Sequence, residues 1–109
     1  MNAVTRTISA IALAASVANA WAADGKACFE GNCIPCHGAD GKGYTPMGRK
    51  IHAKNLTESK MSEAEIVSRI LEGTKDEKGQ PRMPSFREKL SADEVSALAA
   101  YVQTFRKQP

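Results

Sequence analysis

Cys33-Ile34-Pro35-Cys36-His37 sets two thiols three positions apart and follows the second at once with an imidazole. A C-x-x-C-H run is the attachment signal for a c-type haem. The thiols add across the two vinyl groups of the porphyrin and form thioethers, and the histidine is then held close beneath the ring with a nitrogen for the iron. The spacing has a physical reason. Two cysteines separated by two residues lie about one helical turn apart, which matches the separation of the vinyls. The adjoining histidine is thereby confined to one side of the ring. The same C-x-x-C pair also serves as a redox disulfide or as half of a zinc site, so the rest of the chain must decide.

The chain has 109 residues, room for one small domain. Its hydrophobic fraction of 42% is ordinary for a globular protein, but aromatics make up only 6%, so a core built from protein alone is thin. Domains of this size are commonly completed by a disulfide, a metal or a cofactor. A haem would bring a large apolar disc into the interior. The formal charge of +3 is small and the Lys and Arg are dispersed, which argues against nucleic acid as a partner.

Residues 1–22 read as an address label. Arg6 marks a short positive region, Ile8 to Val17 is an apolar run, and Ala18-Asn19-Ala20 is a small-residue cleavage site with Ala20-Trp21-Ala22 as a second. The apolar run is shorter than the roughly 20 residues that span a bilayer. A cleaved signal peptide ending at about Ala20 or Ala22 is expected, and with it export to the periplasm, where c-type haem is attached.

From there the chain reads as helices joined by polar loops. Asp24 can cap a first helix from Gly25 toward Cys33. Gly25 and Phe29 share one face of it, four positions apart. Gly25 lets another helix approach, and Phe29 packs beside the haem. Cys28, the third thiol, reads as a small buried hydrophobe, with an exposed thiol open to intermolecular pairing as the alternative. Gly38 to Gly43 is a turn-rich loop. Pro46 follows, and its backbone carbonyl is a candidate acceptor for the second ring nitrogen of His37, a contact that would fix the tautomer. Arg49, Lys50, His52 and Lys54 form a basic stretch; Arg49 is the first choice for a haem propionate, because its planar fork suits carboxylates.

Ser62-Glu63-Ala64-Glu65 is a capping box. The helix after it puts Ile66, Val67, Ile70 and Leu71 on one face and stops at Gly73. A polar loop from Thr74 to Gln80 leads to Pro81-Arg82-Met83-Pro84. A methionine between prolines is badly placed for a helix and well placed on a rigid extended loop. Its thioether is a soft, neutral ligand suited to haem iron, which makes Met83 the candidate axial partner of His37. Met47, Met61 and His52 are weaker candidates. Ser91-Ala92-Asp93-Glu94 opens a last helix with Val95, Leu98, Ala99 and Val102 as its buried stripe, and Arg106 and Lys107 stand at its exit.

These residues together resemble the class I cytochromes c, the small bacterial ones in particular. The likeness covers nearly all of the chain from residue 23 to residue 109. It rests on Gly25 and Phe29, the Cys33-to-His37 motif, Pro46, the Arg82-Met83-Pro84 loop with Phe86, and Leu98 to Tyr101. The resemblance implies an all-α fold of three to five helices around one covalently attached haem c. It implies that Gly25 and Phe29 cross Leu98 and Tyr101, and that His37 and Met83 are the axial ligands of the iron. It also implies one-electron transfer between redox proteins, membrane complexes among them as transient partners, by a monomeric carrier that is not an enzyme. One departure stands out. Many members carry a mid-chain Trp that bonds a propionate, whereas the single Trp here is Trp21, beside the cleavage site; Arg49, Lys50 or His52 is expected to replace it.

Two rival classes follow from the same residues. If Met83 were not a ligand, an open position would suit a gas sensor or a peroxide-using enzyme. A thiol-disulfide oxidoreductase would use Cys33 and Cys36 as its pair, but that activity usually sits on a βαβ-containing fold, and no stretch here alternates as a strand does.

Overall fold

The computed structural model describes residues 23–106; the expected signal peptide, Trp21 and Lys107 lie outside the described residues. Five α-helices follow in order: α1 Gly25–Asn32, α2 Ile34–His37, α3 Pro46–Ile51, α4 Glu63–Glu72 and α5 Ala92–Gln103. A single 3₁₀ turn, Leu56–Glu58, lies between α3 and α4. Among the described residues the only extended pairing is an isolated bridge between Lys75 and Pro81. The described residues are all-helical, as expected.

Each long helix starts where a polar side chain satisfies its first free N–H groups. Asp24 accepts from the Ala27 N–H at 3.2 Å and opens α1. Ser62 and Glu65 exchange hydrogen bonds of 3.1 and 3.0 Å across the first turn of α4. Ser91 and Glu94 do the same for α5 at 3.1 and 2.8 Å. The expected stripes are buried: Ile66 and Ile70 on α4, and Val95, Leu98, Ala99 and Val102 on α5. Val67 and Leu71 pack at the margin of the core.

The scaffold is the crossing of α1 over α5, with α4 packed on the other side of α5. At the crossing a Cβ on Gly25 would lie on the Ala97 carbonyl and 3.0 Å from Tyr101 Cβ. No side chain larger than hydrogen fits there. Phe29, one turn on, is 1% exposed. It meets Tyr101 at 5.5 Å and Phe105 at 4.9 Å between ring centroids, and those two rings meet edge-on at 5.4 Å. Tilted and edge-to-face ring pairs of this kind add about 0.5–1.5 kcal/mol each beyond the area they bury. Phe105, beyond the end of α5, is thus part of the joint, although nothing in its local sequence marks it. Cys28 is buried beside the crossing, and its thiol points to Glu94 Oε2 at a long 3.9 Å. Burial first, then the nearby carboxylates of Glu94 and Asp24, push its pKa up. It is a packed thiol, as the blander expectation had it.

The two glycines of α1 give opposite expectations. In an open helix Gly→Ala adds up to about 1 kcal/mol of stability, and a Cβ on Gly31 meets nothing within 4 Å. At Gly25 the clash with backbone reverses the sign, at about 1–3 kcal/mol for overpacking. Denaturant midpoints of the haem-loaded protein should rise for Gly31→Ala and fall for Gly25→Ala; shifts of the same sign would contradict the close crossing.

The α4 capping box carries a pH signature. The Ser62 backbone N–H and then its hydroxyl hold the Glu65 carboxyl below the ordinary value. A depressed folded pKa gives stability that is present above the unfolded value of about 4.3 and is lost as pH falls through the folded one. Wild type should therefore exceed Glu65→Gln in denaturant midpoint at pH 7, and the gap should close in acid. A gap that persists at pH 2 would contradict this.

Candidate functional site

The attachment motif is itself short helix. Cys33 ends α1, with its N–H on the Phe29 carbonyl, and begins α2, which carries Cys36 and His37. Both thiols and the imidazole are therefore held on one rigid corner. Burial, then the proximity of Cys28 and Cys36, pushes the Cys33 thiol up to about 11. Thiol-disulfide catalysis usually sits on a βαβ-containing fold, and among the described residues the only extended pairing is the Lys75–Pro81 bridge.

Beneath the corner lies a cavity of about 610 Å³, within the size range of cofactor sites. Cys33, Cys36 and His37 line it, and so do Met61 and Met83 from other segments. Its walls include Phe29, Ile66, Ile70, Leu98 and Val102, from the buried faces of α1, α4 and α5, and Phe86 from the loop between α4 and α5. The core of this domain is thus a shell around a space. The donor chemistry fits the group that the motif implies: two thiols for two thioethers, an imidazole nitrogen, soft thioether sulfur, and apolar walls for a porphyrin.

His37 is set by a partner 17 positions away. Its Nδ1 lies 3.0 Å from the Lys54 carbonyl oxygen. A carbonyl only accepts, so Nδ1 carries the hydrogen and Nε2 keeps its lone pair. Burial lowers the His37 pKa, partly offset by this bond. The chain from Gly38 to Lys54 is folded back to make that contact. The Gly43 N–H donates to the His37 carbonyl at 2.8 Å, and the Leu56 N–H to the Gly41 carbonyl at 2.7 Å. Thr45 then fastens the loop to the motif, its Oγ1 within 2.7 Å of the Pro35 carbonyl and 3.0 Å of the Cys36 carbonyl.

One expected role is corrected here. The carbonyl at the His37 ring is that of Lys54, and Pro46 instead occupies the first position of α3. Proline is preferred there because it lacks an N–H that would be unsatisfied anyway. Arg49 does not line the cavity; its guanidinium lies 5.7 Å over the exposed Tyr44 ring. Lys54, Arg69, Lys75 and Arg82 are among the residues that line the cavity, and so is His52. His52 caps α3 in the left-handed region at φ 59°, its N–H on the Gly48 carbonyl.

Met83 sits on a tethered loop. Its N–H donates to Thr74 Oγ1 at 3.1 Å, and its carbonyl accepts from the Thr74 N–H at 2.9 Å. The Arg82 N–H returns to the Thr74 carbonyl at 2.8 Å. Beyond it the Phe86 N–H bonds the Ile70 carbonyl at 2.9 Å, and the Ser85 hydroxyl bonds that of Leu71. These carbonyls are left free at the C-terminus of α4, so the loop caps the helix as the helix holds the loop. Gly73, at φ 70°, makes room: a Cβ there would meet the Met83 carbonyl and Pro84. Met47 is about half exposed and lies outside the cavity.

A helical shell whose cavity is walled by a C-x-x-C-H corner defines a c-type haem protein. Comparison with known proteins agrees. The sequence profile of cytochrome c matches residues 22–106. Cytochrome c6 of Chlorolobion braunii is 32% identical over 80 residues, which is 72% of this chain and 83% of that protein. Cytochrome c6 of Microcystis aeruginosa is 32% identical over the same length, covering 90% of that protein. The solved structure of the c-type cytochrome KustC0563 superposes with a TM-score of 0.67 at 34% identity, covering 77% of this chain and 99% of that one. The chain belongs to the cytochrome c family. It carries haem c, and its work is electron transfer with redox partners.

The Gly73 contact predicts that Gly73→Ala, strained by both its φ and the Met83 backbone, costs about 1–3 kcal/mol. Hydrogen exchange at the Thr74 and Met83 amides should speed up in the variant. Unchanged exchange would mean that this loop is held by something else.

Proposed function

We propose that the chain is a periplasmic one-electron carrier, a monomer, whose haem iron is held between His37 and Met83. The observation that carries this reading is that Met83 lines the same cavity as Cys33, Cys36 and His37, on a loop pinned to Thr74. Bound haem supplies the one-electron couple. The chain supplies ligands and surroundings that set its poise. His37 offers Nε2 because Lys54 occupies Nδ1. A thioether at Met83 raises the potential relative to a second nitrogen. Apolar walls disfavour the extra positive charge of the oxidised state, in the same direction. If His37 and Met83 both hold the group, no place would be left for a substrate, which argues for a carrier rather than an enzyme.

Export rests on the sequence of residues 1–22, with its positive start, apolar run and small-residue cleavage site at about Ala20 or Ala22. Among the described residues no helix is long and apolar enough to cross a membrane.

Met61 also lines the cavity, which makes it the control for the ligand assignment. Met83→Ala should lower the reduction potential and let the ferrous protein bind carbon monoxide at neutral pH, while Met61→Ala should do neither. The reverse pattern would move the ligand role to Met61. Carbon monoxide binding by wild type would favour a sensor or an enzyme.

A further inference from the structure

Phe105 stands two positions past the end of α5, and its ring is shared between two parts of the molecule. It packs on Phe29 at 4.9 Å and meets Tyr101 edge-on at 5.4 Å. It is also pressed on the loop after the attachment motif: a Cβ on Gly41 would lie 2.9 Å from the Phe105 ring. Backbone sets the position of Phe105. Past Gln103 the helix tightens into shorter-range bonds, from the Phe105 N–H to the Val102 carbonyl at 3.1 Å and from the Arg106 N–H to the Gln103 carbonyl at 3.2 Å.

Phe105 does not line the cavity, and neither do Gly41 and Gly43. The way from this ring to the imidazole runs through the loop. The carbonyl of the buried Gly41 accepts the Leu56 N–H at 2.7 Å, which fixes the returning chain two positions beyond Lys54. Gly43 lies against that chain: a Cβ on it would be 2.9 Å from the Ala53 carbonyl oxygen and 3.3 Å from that of Lys54. Its own N–H donates to the His37 carbonyl at 2.8 Å. Gly41 to Gly43 is therefore a spacer. Phe105 presses on one end of it, and at the other lies the Lys54 carbonyl that accepts from His37 Nδ1 at 3.0 Å. Thr45 fastens the same loop to the motif, and Phe105 reaches it from α5.

We propose that Phe105 is a positioning residue for His37: pressed on Gly41, it holds the loop, and with it the Lys54 carbonyl, against the imidazole. This rests on the reading of His37 as an axial ligand. A carbonyl held on Nδ1–H makes the imidazole a stronger donor at Nε2, which favours the more positive, oxidised state of a bound iron. Loosening that carbonyl therefore raises the reduction potential. Opening the cavity to water would lower it, because solvent stabilises the extra charge. The sign of the shift separates the two routes.

The test uses the haem-loaded protein. Redox titration gives the midpoint potential, and NMR of the ferrous state follows the His37 ring and the backbone amides. Phe105→Ala should raise the potential and move the His37 Nδ1–H resonance upfield. It should also speed hydrogen exchange at the Leu56 amide by about tenfold, equivalent to about 1.4 kcal/mol of local support. Phe105→Leu should move all three in the same directions by less, and it carries the test if the alanine variant fails to hold haem. Phe105→Tyr keeps the ring and should keep the wild-type values. Tyr101, which packs on both Phe29 and Phe105, is the control for the joint itself. Tyr101→Leu should lower the denaturant midpoint as Phe105→Ala does, yet leave the potential and the His37 resonance in place. An unchanged potential and His37 resonance in the Phe105 variants would overturn the proposal. A lowered potential would overturn it too, because the ring would then act by sealing the cavity through Phe29, and so would equal shifts in Tyr101→Leu. A wild type whose His37 ring protons carry no haem-induced shift would overturn the ligand reading and this proposal with it.

Discussion

The bond from His37 Nδ1 to the Lys54 carbonyl is the constraint on which the rest depends. It decides which ring nitrogen is free, and it does so with a backbone atom that no side-chain substitution removes. To bring that carbonyl into place, the chain must turn through Gly38 to Gly43, run through α3 and return past His52. Thr45 on the motif carbonyls and Gly43 on the His37 carbonyl hold this path. The motif supplies the imidazole, and the loop after it supplies its orientation, which would govern basicity and ring direction at a metal.

The helices form a frame around this corner. The α1–α5 crossing is closed by the absence of a side chain at Gly25 and by the Phe29, Tyr101 and Phe105 rings. The α4 helix presents Ile66 and Ile70 to the cavity and lends its free C-terminal carbonyls to the Met83 loop. The result is a domain whose apolar side chains surround a space rather than fill it. A small, aromatic-poor chain has this solution available because its cofactor contributes the missing interior. The strongly shifted Cys33 thiol belongs to the same picture. It is raised because it is buried in that interior.

What was legible in the sequence was local. The capping boxes at Ser62 and Ser91, the Asp24 cap, the buried stripes of α4 and α5 and the stop at Gly73 all depend on neighbours within a turn, and all are present. The C-x-x-C-H motif was legible because covalent geometry fixes its spacing. What was not legible depends on how a loop folds in space. The partner of His37 lies 17 positions away, and Pro46 was the wrong carbonyl because its place is set by the start of α3. That helix, six residues long and holding a Pro and a Gly, has too little periodicity to declare itself. The contact of Arg49 with the Tyr44 ring likewise depends on the path of the loop and has no local signature. Phe105 lies past the last helical residue, where no pattern identifies a core position.

The central claim is that one imidazole and one thioether hold the iron. The most direct measurement is the absorption spectrum of the ferric haem-loaded protein in the far red, where sulfur bound to ferric haem gives a weak charge-transfer band. The account predicts a low-spin spectrum with that band present. A low-spin spectrum without it would point to a second nitrogen ligand such as His52, and a high-spin spectrum to an open position; either would contradict the account.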